Sequence, residues 1–524
     1  MHAVRGGGKP RKIGTANASD NRNMTHLTGT IYGIVLAIFV AFGVHRMVLL
    51  LTYFRHRRRH GVLDRITHPT PPSVCVQCPV YNEPLVVEDL LESVTAIDWE
   101  PKRLEIQILD DSTDETSAII ERWLLDHPER TARCRHIRRP ERRGYKAGAL
   151  AEGMRLSRAA FFAVFDADFR PQPDVLNRLM PLFASPRIGA VQARWEFSNR
   201  SRSLLTRFQG VFLDAHFLVE QTARSSAGLF FNFNGTAGIW RRAAIESSGG
   251  WDADTVTEDL DLSYRAQMSG WRMVYDKDYA VPSELPETVI AFKSQQRRWT
   301  KGGVQVFRKH IGKILRSKYS LRQKFEAFFH LGLGFVHIFL ALFAIILVPV
   351  LILGDQIQSG PAALLNPMLL VLGTGTTVGL YFSGQLFRER HFGRALGTIL
   401  ATPILVAFGM AMSLSCAVAA IEGLFSKGGE FVRTPKGRTS TRVHRGLHRP
   451  VIRFGPSLLS GVEISFGIVL AGGALYFAEH DMESIALGLA IKSLGFGGLG
   501  LCSLYEFGWR DFFGGRVAAA QTQG

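Results

Sequence analysis

The chain has 524 residues, with 62 Lys and Arg against 45 Asp and Glu, a formal net charge of +17. That length has room for more than one domain plus membrane segments. The basic residues gather in short runs beside apolar stretches, which suits anionic lipid and anionic small substrates and argues against nucleic acid, for which no motif is present.

Residues 1–28 are rich in Gly, Arg, Lys and Asn and are expected to be disordered. Residues 29–53 are apolar enough to span a bilayer, although His45-Arg46 interrupts them. No small-residue cleavage site follows a short apolar core, so the segment is read as an anchor. Arg46 either snorkels or faces a polar path through the bundle. From Ser73 the pattern becomes α/β. Val74–Val80 reads as a buried strand ending in the Tyr81-Asn82-Glu83-Pro84 turn, and a helical period starts at Val87. Cys75 and Cys78 lie inside that strand with no second Cys or His pair at ligand spacing, so they are read as structural. Leu104–Leu109 is the next strand, with Asp110-Asp111-Ser112 at its carboxyl end, and Thr116–Leu125 a helix. Phe161–Phe165 is another strand, ending in Asp166-Ala167-Asp168. Ligands of open parallel sheets bind outside the carboxyl ends of the strands, so both acidic pairs fall where a nucleotide diphosphate would lie.

The stretch from Phe231 to Gly302 carries the remaining chemistry. It holds Asn234-Gly235-Thr236, then Thr257-Glu258-Asp259-Leu260-Asp261, then Gln295-Gln296-Arg297-Arg298-Trp299. Carboxylates take up protons or hold a metal, arginine neutralises a pyrophosphate, and an indole offers a flat face to a sugar ring. Beyond Gly302, residues 303–326 form a basic amphipathic stretch expected on the membrane surface. Apolar segments follow at 327–353, 363–385, 396–424, 457–478 and 484–507, before a tail at 508–524. The loop 354–362 has no Lys or Arg, whereas 387–394 has three and 425–455 has eight. Both basic loops share the cytoplasmic side only if 396–424 does not cross, so it is expected to be interfacial, giving five crossings and an outside N terminus.

These motifs, with Gly144-Tyr145-Lys146-Ala147-Gly148 and Val191-Gln192-Ala193-Arg194-Trp195, make the sequence resemble the family 2 glycosyltransferases of the cellulose synthase superfamily. The likeness is greatest to the cellulose synthase-like A and C branches, the β-mannan/glucomannan and β-glucan synthases. It is dense over about residues 70–310. The resemblance implies an α/β GT-A domain over 70–302, a mostly parallel nucleotide-sugar-binding sheet, embedded in a transmembrane helical region. It implies a multi-pass enzyme of the plasma (inner) membrane with its catalytic domain in the cytoplasm. Its partners would be a nucleotide-sugar donor, a growing glycan acceptor and membrane lipids. Its reaction would be inverting transfer from GDP-mannose or UDP-glucose to a β-linked polysaccharide, which it would also secrete. The alternative is a non-processive enzyme that glycosylates a lipid.

The roles carried over are these. Asp166 and Asp168 would hold Mg²⁺ or Mn²⁺ against the diphosphate. Tyr81, Glu83, Asp110 and Asp111 would line the nucleoside pocket. Lys146, Gln295 and Arg298 would face the diphosphate. Asp259, next to Glu258, would be the general base, and Asp261 would point elsewhere on its helix. Trp299 would be the acceptor platform, assisted by Asn234, Gly235 and Thr236. Phe431-Val432-Arg433-Thr434-Pro435-Lys436 resembles a gating loop, in which Phe431, Thr434 and Lys436 would cover the bound donor.

Overall fold

The structure, a computed structural model, describes residues 16–56, 65–66, 70–353, 361–429 and 455–507. The gating-type residues Phe431, Thr434 and Lys436 lie outside the described residues.

The α/β domain is built on seven strands: β1 (Val74–Val80), β2 (Leu104–Asp110), β3 (Cys134–Arg138), β4 (Phe161–Val164), β5 (Ile188–Phe197), β6 (Gly238–Arg241) and β7 (Arg272–Ser283). Their order is β3-β2-β1-β4-β6-β5-β7. β1 pairs in parallel with β2 and β4, β2 with β3, and β5 with β7. Helices cover both faces, which is why β1, β2 and β4 are nearly continuous apolar runs. One core packs Val76, Cys78, Ile106, Phe165 and Val191; the other packs Cys75, Phe162, Phe233 and Trp240. The two cysteines of the first strand are thus split between the cores as buried free thiols.

β6 runs antiparallel to both its neighbours, β4 and β5. Its amino end, Gly238, therefore pairs with Val164 at the carboxyl end of β4. This reversal brings the turn 234–237 to the edge where Tyr81, Asp111 and Asp166 leave their strands.

Among the described residues, six helices are long and apolar enough to cross a membrane: Thr25–His56, Leu321–Ile352, Leu364–Glu389, Ala395–Phe425, Leu458–Glu479 and Glu483–Glu506. Two expectations need correction. The first helix starts at Ala16, so residues 16–28 are ordered helix; the apolar segment that follows supplies the nucleus and the polar residues extend it. Residues 303–326 are not a separate surface unit, because the helix Val289–Arg316 runs through Gly302 and Leu321 already opens the second apolar helix.

The helix Phe392–Phe425 has both its flanks on the α/β domain. Just before it, Arg388 pairs with Glu196 at 2.5 Å. Just after it, the Gly428 N–H donates to the Asp254 carbonyl at 2.6 Å, and Arg308 donates to the Ser426 carbonyl at 2.7 Å.

Candidate active site

Lys146 lies in the first turn of the helix Tyr145–Leu156 and reaches the carboxyl edge of the sheet. Its Nζ is 2.5 Å from Asp166 Oδ1, donates to the Gly235 carbonyl at 2.9 Å, and lies 4.0 Å from Glu258 Oε1. The Asp166 N–H donates to Thr236 Oγ1 at 2.8 Å. One ammonium thus ties together the β4 acidic pair, the turn before β6 and the Thr257-Glu258-Asp259 segment.

Glu258 and Asp259 open the helix Glu258–Met268. That helix is locked to the 233–235 turn through Ser263, whose Oγ donates to the Asp259 carbonyl at 2.6 Å and accepts from the Phe233 N–H at 2.8 Å. Gly235 adopts φ +82°, and a Cβ built there would sit 3.0 Å from Asp259 Oδ2. A side chain would be strained and would crowd the carboxylate, so glycine lets backbone and acid approach closely. Buried Gln192 fixes the other side of the turn, accepting from the Asn234 N–H at 2.9 Å and donating to the Thr236 carbonyl at 3.0 Å. The Asn234 amide oxygen accepts from Asn232 Nδ2 at 2.6 Å and lies 3.3 Å from His216 Nε2.

The helix Val289–Arg316 brings the third motif. It seats directly on Thr257 because Gly302 has no side chain: a Cβ there would fall 2.3 Å from Thr257 Cγ2. Gln295 is buried, and Trp299 is half-buried. Burial lowers the pKa of Arg298, opposed by the carboxylates of Glu258, Asp166, Asp259 and Asp168. For Lys146, burial also pulls downward, but Asp166 and Glu258 outweigh it and its pKa stays above the ordinary lysine value. Burial raises Asp259 to about 7, reinforced by the negative charge of Glu258 and opposed by Lys146. A carboxyl titrating near neutrality is suited to accept a proton at working pH.

The nucleoside side departs from expectation at Asp110. Its carboxylate is buried and saturated: it accepts from the Ser112 N–H at 2.8 Å and Ser117 Oγ at 2.6 Å, and lies 2.9 Å from His136 Nε2. Burial works to raise its pKa, but His136, Ser112 and Ser117 hold it down at about 2. Asp110 therefore shapes the loop and does not line a pocket. Arg139 donates to both carboxylate oxygens of Asp111, from Nε at 2.9 Å and from Nη2 at 2.5 Å. Arg142 lies 3.3 Å over the Tyr81 ring. Glu83 is half-buried, and its carbonyl accepts from the Val87 N–H at 3.1 Å. Asp168 is buried and accepts from Ser283 Oγ. Asp261 faces another cluster, pairing with Arg265 and His310 at 2.7 Å each and Lys309 at 3.0 Å. With Asp252 and Asp254 it forms the only group of three metal-type ligands among the described residues, and Lys309 fills it at 3.0 Å from Asp252 and 2.7 Å from Asp254.

A family model, glycosyl transferase family group 2, matches residues 161–375. Glucomannan 4-beta-mannosyltransferase 7 of Arabidopsis thaliana is 37% identical over 441 residues, 81% of this chain and 75% of the relative. Glucomannan 4-beta-mannosyltransferase 2 of the same plant is 36% identical over 456 residues, 83% of this chain and 82% of the relative. The chain belongs to the family 2 glycosyltransferases. It is a hexosyltransferase, and its sheet has the GT-A arrangement. A solved structure of the same fold is the mannosyltransferase PcManGT from Pyrobaculum calidifontis, in complex with GDP-Man and Mn²⁺. That likeness has a TM-score of 0.51 at 22% identity, over 75% of this chain and 99% of the other.

Four side chains that contact the candidate residues carried no role in the sequence: Gln192, Ser263, Arg139 and Arg142. Gln192 stood inside the quoted Val191–Trp195 motif, a polar residue at a core position of β5. The arginines stood in the basic run 138–143 directly before Gly144. Ser263 had no signal beyond its spacing of one helical turn from Asp259.

Proposed function

We propose that this glycosyltransferase moves mannose from GDP-mannose onto the end of a β-linked glycan, with inversion, at the cytoplasmic face of the plasma (inner) membrane. The observation that carries the chemistry is the convergence of Asp259 and Lys146 on the Gly235 turn at the carboxyl edge of the sheet, with Arg298 in the electrostatic reach of Glu258, Asp166, Asp259 and Asp168. The sugar rests on the mannosyltransferase names of the relatives and on the GDP-Man bound by the Pyrobaculum protein.

In this reading Asp259 takes the proton of an acceptor hydroxyl while its oxygen attacks the anomeric carbon opposite the diphosphate. The bond to the diphosphate breaks and an α-linked donor becomes a β-linkage. Lys146 and Arg298 hold the negative charge that builds on the leaving group. Trp299 supports the acceptor sugar, and the Asn234-Gly235-Thr236 turn orients it. The resident charges fit a divalent ion: the carboxylates of Asp166, Asp168, Glu258 and Asp259 act on Arg298, and Asp166, Glu258 and Asp259 on Lys146, so negative charge outnumbers these two cations. Asp166 and Asp168 offer the hard oxygen ligands that Mg²⁺ or Mn²⁺ prefers. Bound there, the ion would add positive charge against the diphosphate.

The test is to incubate purified protein in lipid nanodiscs with labelled GDP-mannose or UDP-glucose, then size the product and assign its anomeric linkage. A growing β-mannan made only with divalent ion present is the expected result. Incorporation from UDP-glucose alone, a lipid-soluble product, or full activity in EDTA would each overturn the corresponding part.

A further inference from the structure

The helix Val289–Arg316 has two working faces. At about 100° per residue, Arg297 lies about 40° from Lys293, while Gln295, Arg298 and Trp299 fall about 140–240° away. The face opposite these three residues is gripped by the helix Phe392–Phe425 and by two of the candidate membrane-crossing helices. Lys293 Nζ pairs with Glu463 Oε2 at 2.5 Å and donates to Ser503 Oγ at 2.7 Å, and all three residues are buried. Arg297 donates to the Ser415 carbonyl at 2.8 Å and pairs with Glu422 at 2.9 Å. The helix start is held by the same hairpin: the Glu506 carboxylate accepts from the Val289 N–H at 2.7 Å and the Ile290 N–H at 2.8 Å. Thr288 Oγ1 accepts from Ala291 at 3.2 Å, so one distant carboxylate and one local hydroxyl cap the first turn.

We propose that Lys293, Glu463 and Glu506 are positioning residues, through which the last membrane hairpin (Gly455–Glu479 and Glu483–Phe507) sets the register of Gln295, Arg298 and Trp299. A buried ion pair adds little stability over an apolar pair of the same size, so its contribution is geometric. Lys293 meets Glu463 and Ser503 at one rotation of the helix, and Glu506 meets its first two N–H groups at one axial height. A slip of one residue would break both contacts and turn Arg298 away from the acidic cluster. This rests on the reading that Gln295, Arg298 and Trp299 act in glycosyl transfer.

The experiment uses full-length protein in nanodiscs and whichever donor the wild type accepts; a wild type that transfers neither mannose nor glucose sinks the functional reading and this inference with it. Three variants are compared with it: Glu506→Ala, Glu506→Gln, and the double replacement Lys293→Met with Glu463→Met. Glu506→Ala should lower kcat about tenfold or more while the donor KM moves by less than about threefold, because the nucleoside and Lys146 contacts are untouched. Glu506→Gln keeps an acceptor for the first-turn N–H groups and should recover at least about a third of the lost rate. The double methionine variant should keep the wild-type unfolding midpoint and still lose about threefold or more in kcat. Wild-type kcat in the double variant would overturn the proposal, as would a loss in Glu506→Ala that only mirrors its loss of folded protein. If Glu506→Ala does not fold, the double variant decides alone.

Discussion

Asp259 and Asp110 are both carboxylates at the edge of one sheet, yet their surroundings drive them apart. Asp259 holds its proton up to about 7, well above the ordinary 3.8, because it is buried beside Glu258. In transfer assays the rate should therefore rise with pH and level off above about 7, as the base loses its proton. Asp259→Asn should cost about 10²–10⁴-fold in kcat with donor binding retained; activity within about tenfold of wild type would reject the assignment. The same shift makes a stability claim of defined sign. An unfolded Asp259 releases its proton near 3.8 and the folded one near 7, so stability falls as pH rises between these values, and Asp259→Asn should flatten that slope. Asp110 behaves oppositely. Its folded value of about 2 lies below 3.8, so its contribution is present above about pH 4 and lost as pH falls toward 2. That contribution is roughly 2 kcal/mol by the usual conversion. Asp110→Ala should lower the unfolding free energy by an amount of that order at neutral pH and remove the acid-side slope. An unchanged denaturation curve would show that His136 and Ser117 do not need it.

At the scale of elements, the site exists because three segments can touch. Gly302 is where two of them meet, with the helix Val289–Arg316 resting on Thr257. Thr257 is β-branched and stiff, so a methyl at position 302 cannot be absorbed by a rotamer change. Gly302→Ala should push the Arg298 helix off the Glu258–Asp259 helix and lower kcat, and adding Thr257→Ala should recover part of it by removing the two closest atoms, Cγ2 and Oγ1. Equal rates for Gly302→Ala and wild type would mean that the two helices are not coupled. Much of this was readable from the chain. The apolar runs at 74–80 and 104–109 predict buried strands, and their carboxyl ends predict where ligands bind. What could not be read was the reversal of β6, which needs its partner strands in view before the 234–237 turn joins Asp166. Nor could the sequence separate Asp110 from Asp111. Adjacent residues leaving a strand point to opposite sides, and only the packing of His136 and Ser117 shows which one is consumed inside.

For the whole molecule, the decisive question is how the apolar helix Phe392–Phe425 is used. It has 34 residues, about 51 Å of helix, ample to cross a bilayer about 30 Å thick. Its most apolar window is 67% buried inside the protein, against at most 39% for the other five candidates. That burial explains its apolarity without lipid. Arg388 before it and Gly428 after it both touch the catalytic domain, at Glu196 and Asp254. A helix that leaves from and returns to the same side does not cross between those points. We therefore expect five crossings, with the N terminus opposite the catalytic domain and the basic loops beside it, as the positive-inside rule requires. Single cysteines at exposed Lys427 and Asp481, in a background lacking the native cysteines, test this in sealed vesicles of known orientation. A membrane-impermeant thiol reagent should label Lys427→Cys only from the catalytic side and Asp481→Cys only from the other. Six crossings would instead put position 427 on the far side from Arg388, so labelling of Lys427→Cys from there would overturn the five-crossing arrangement.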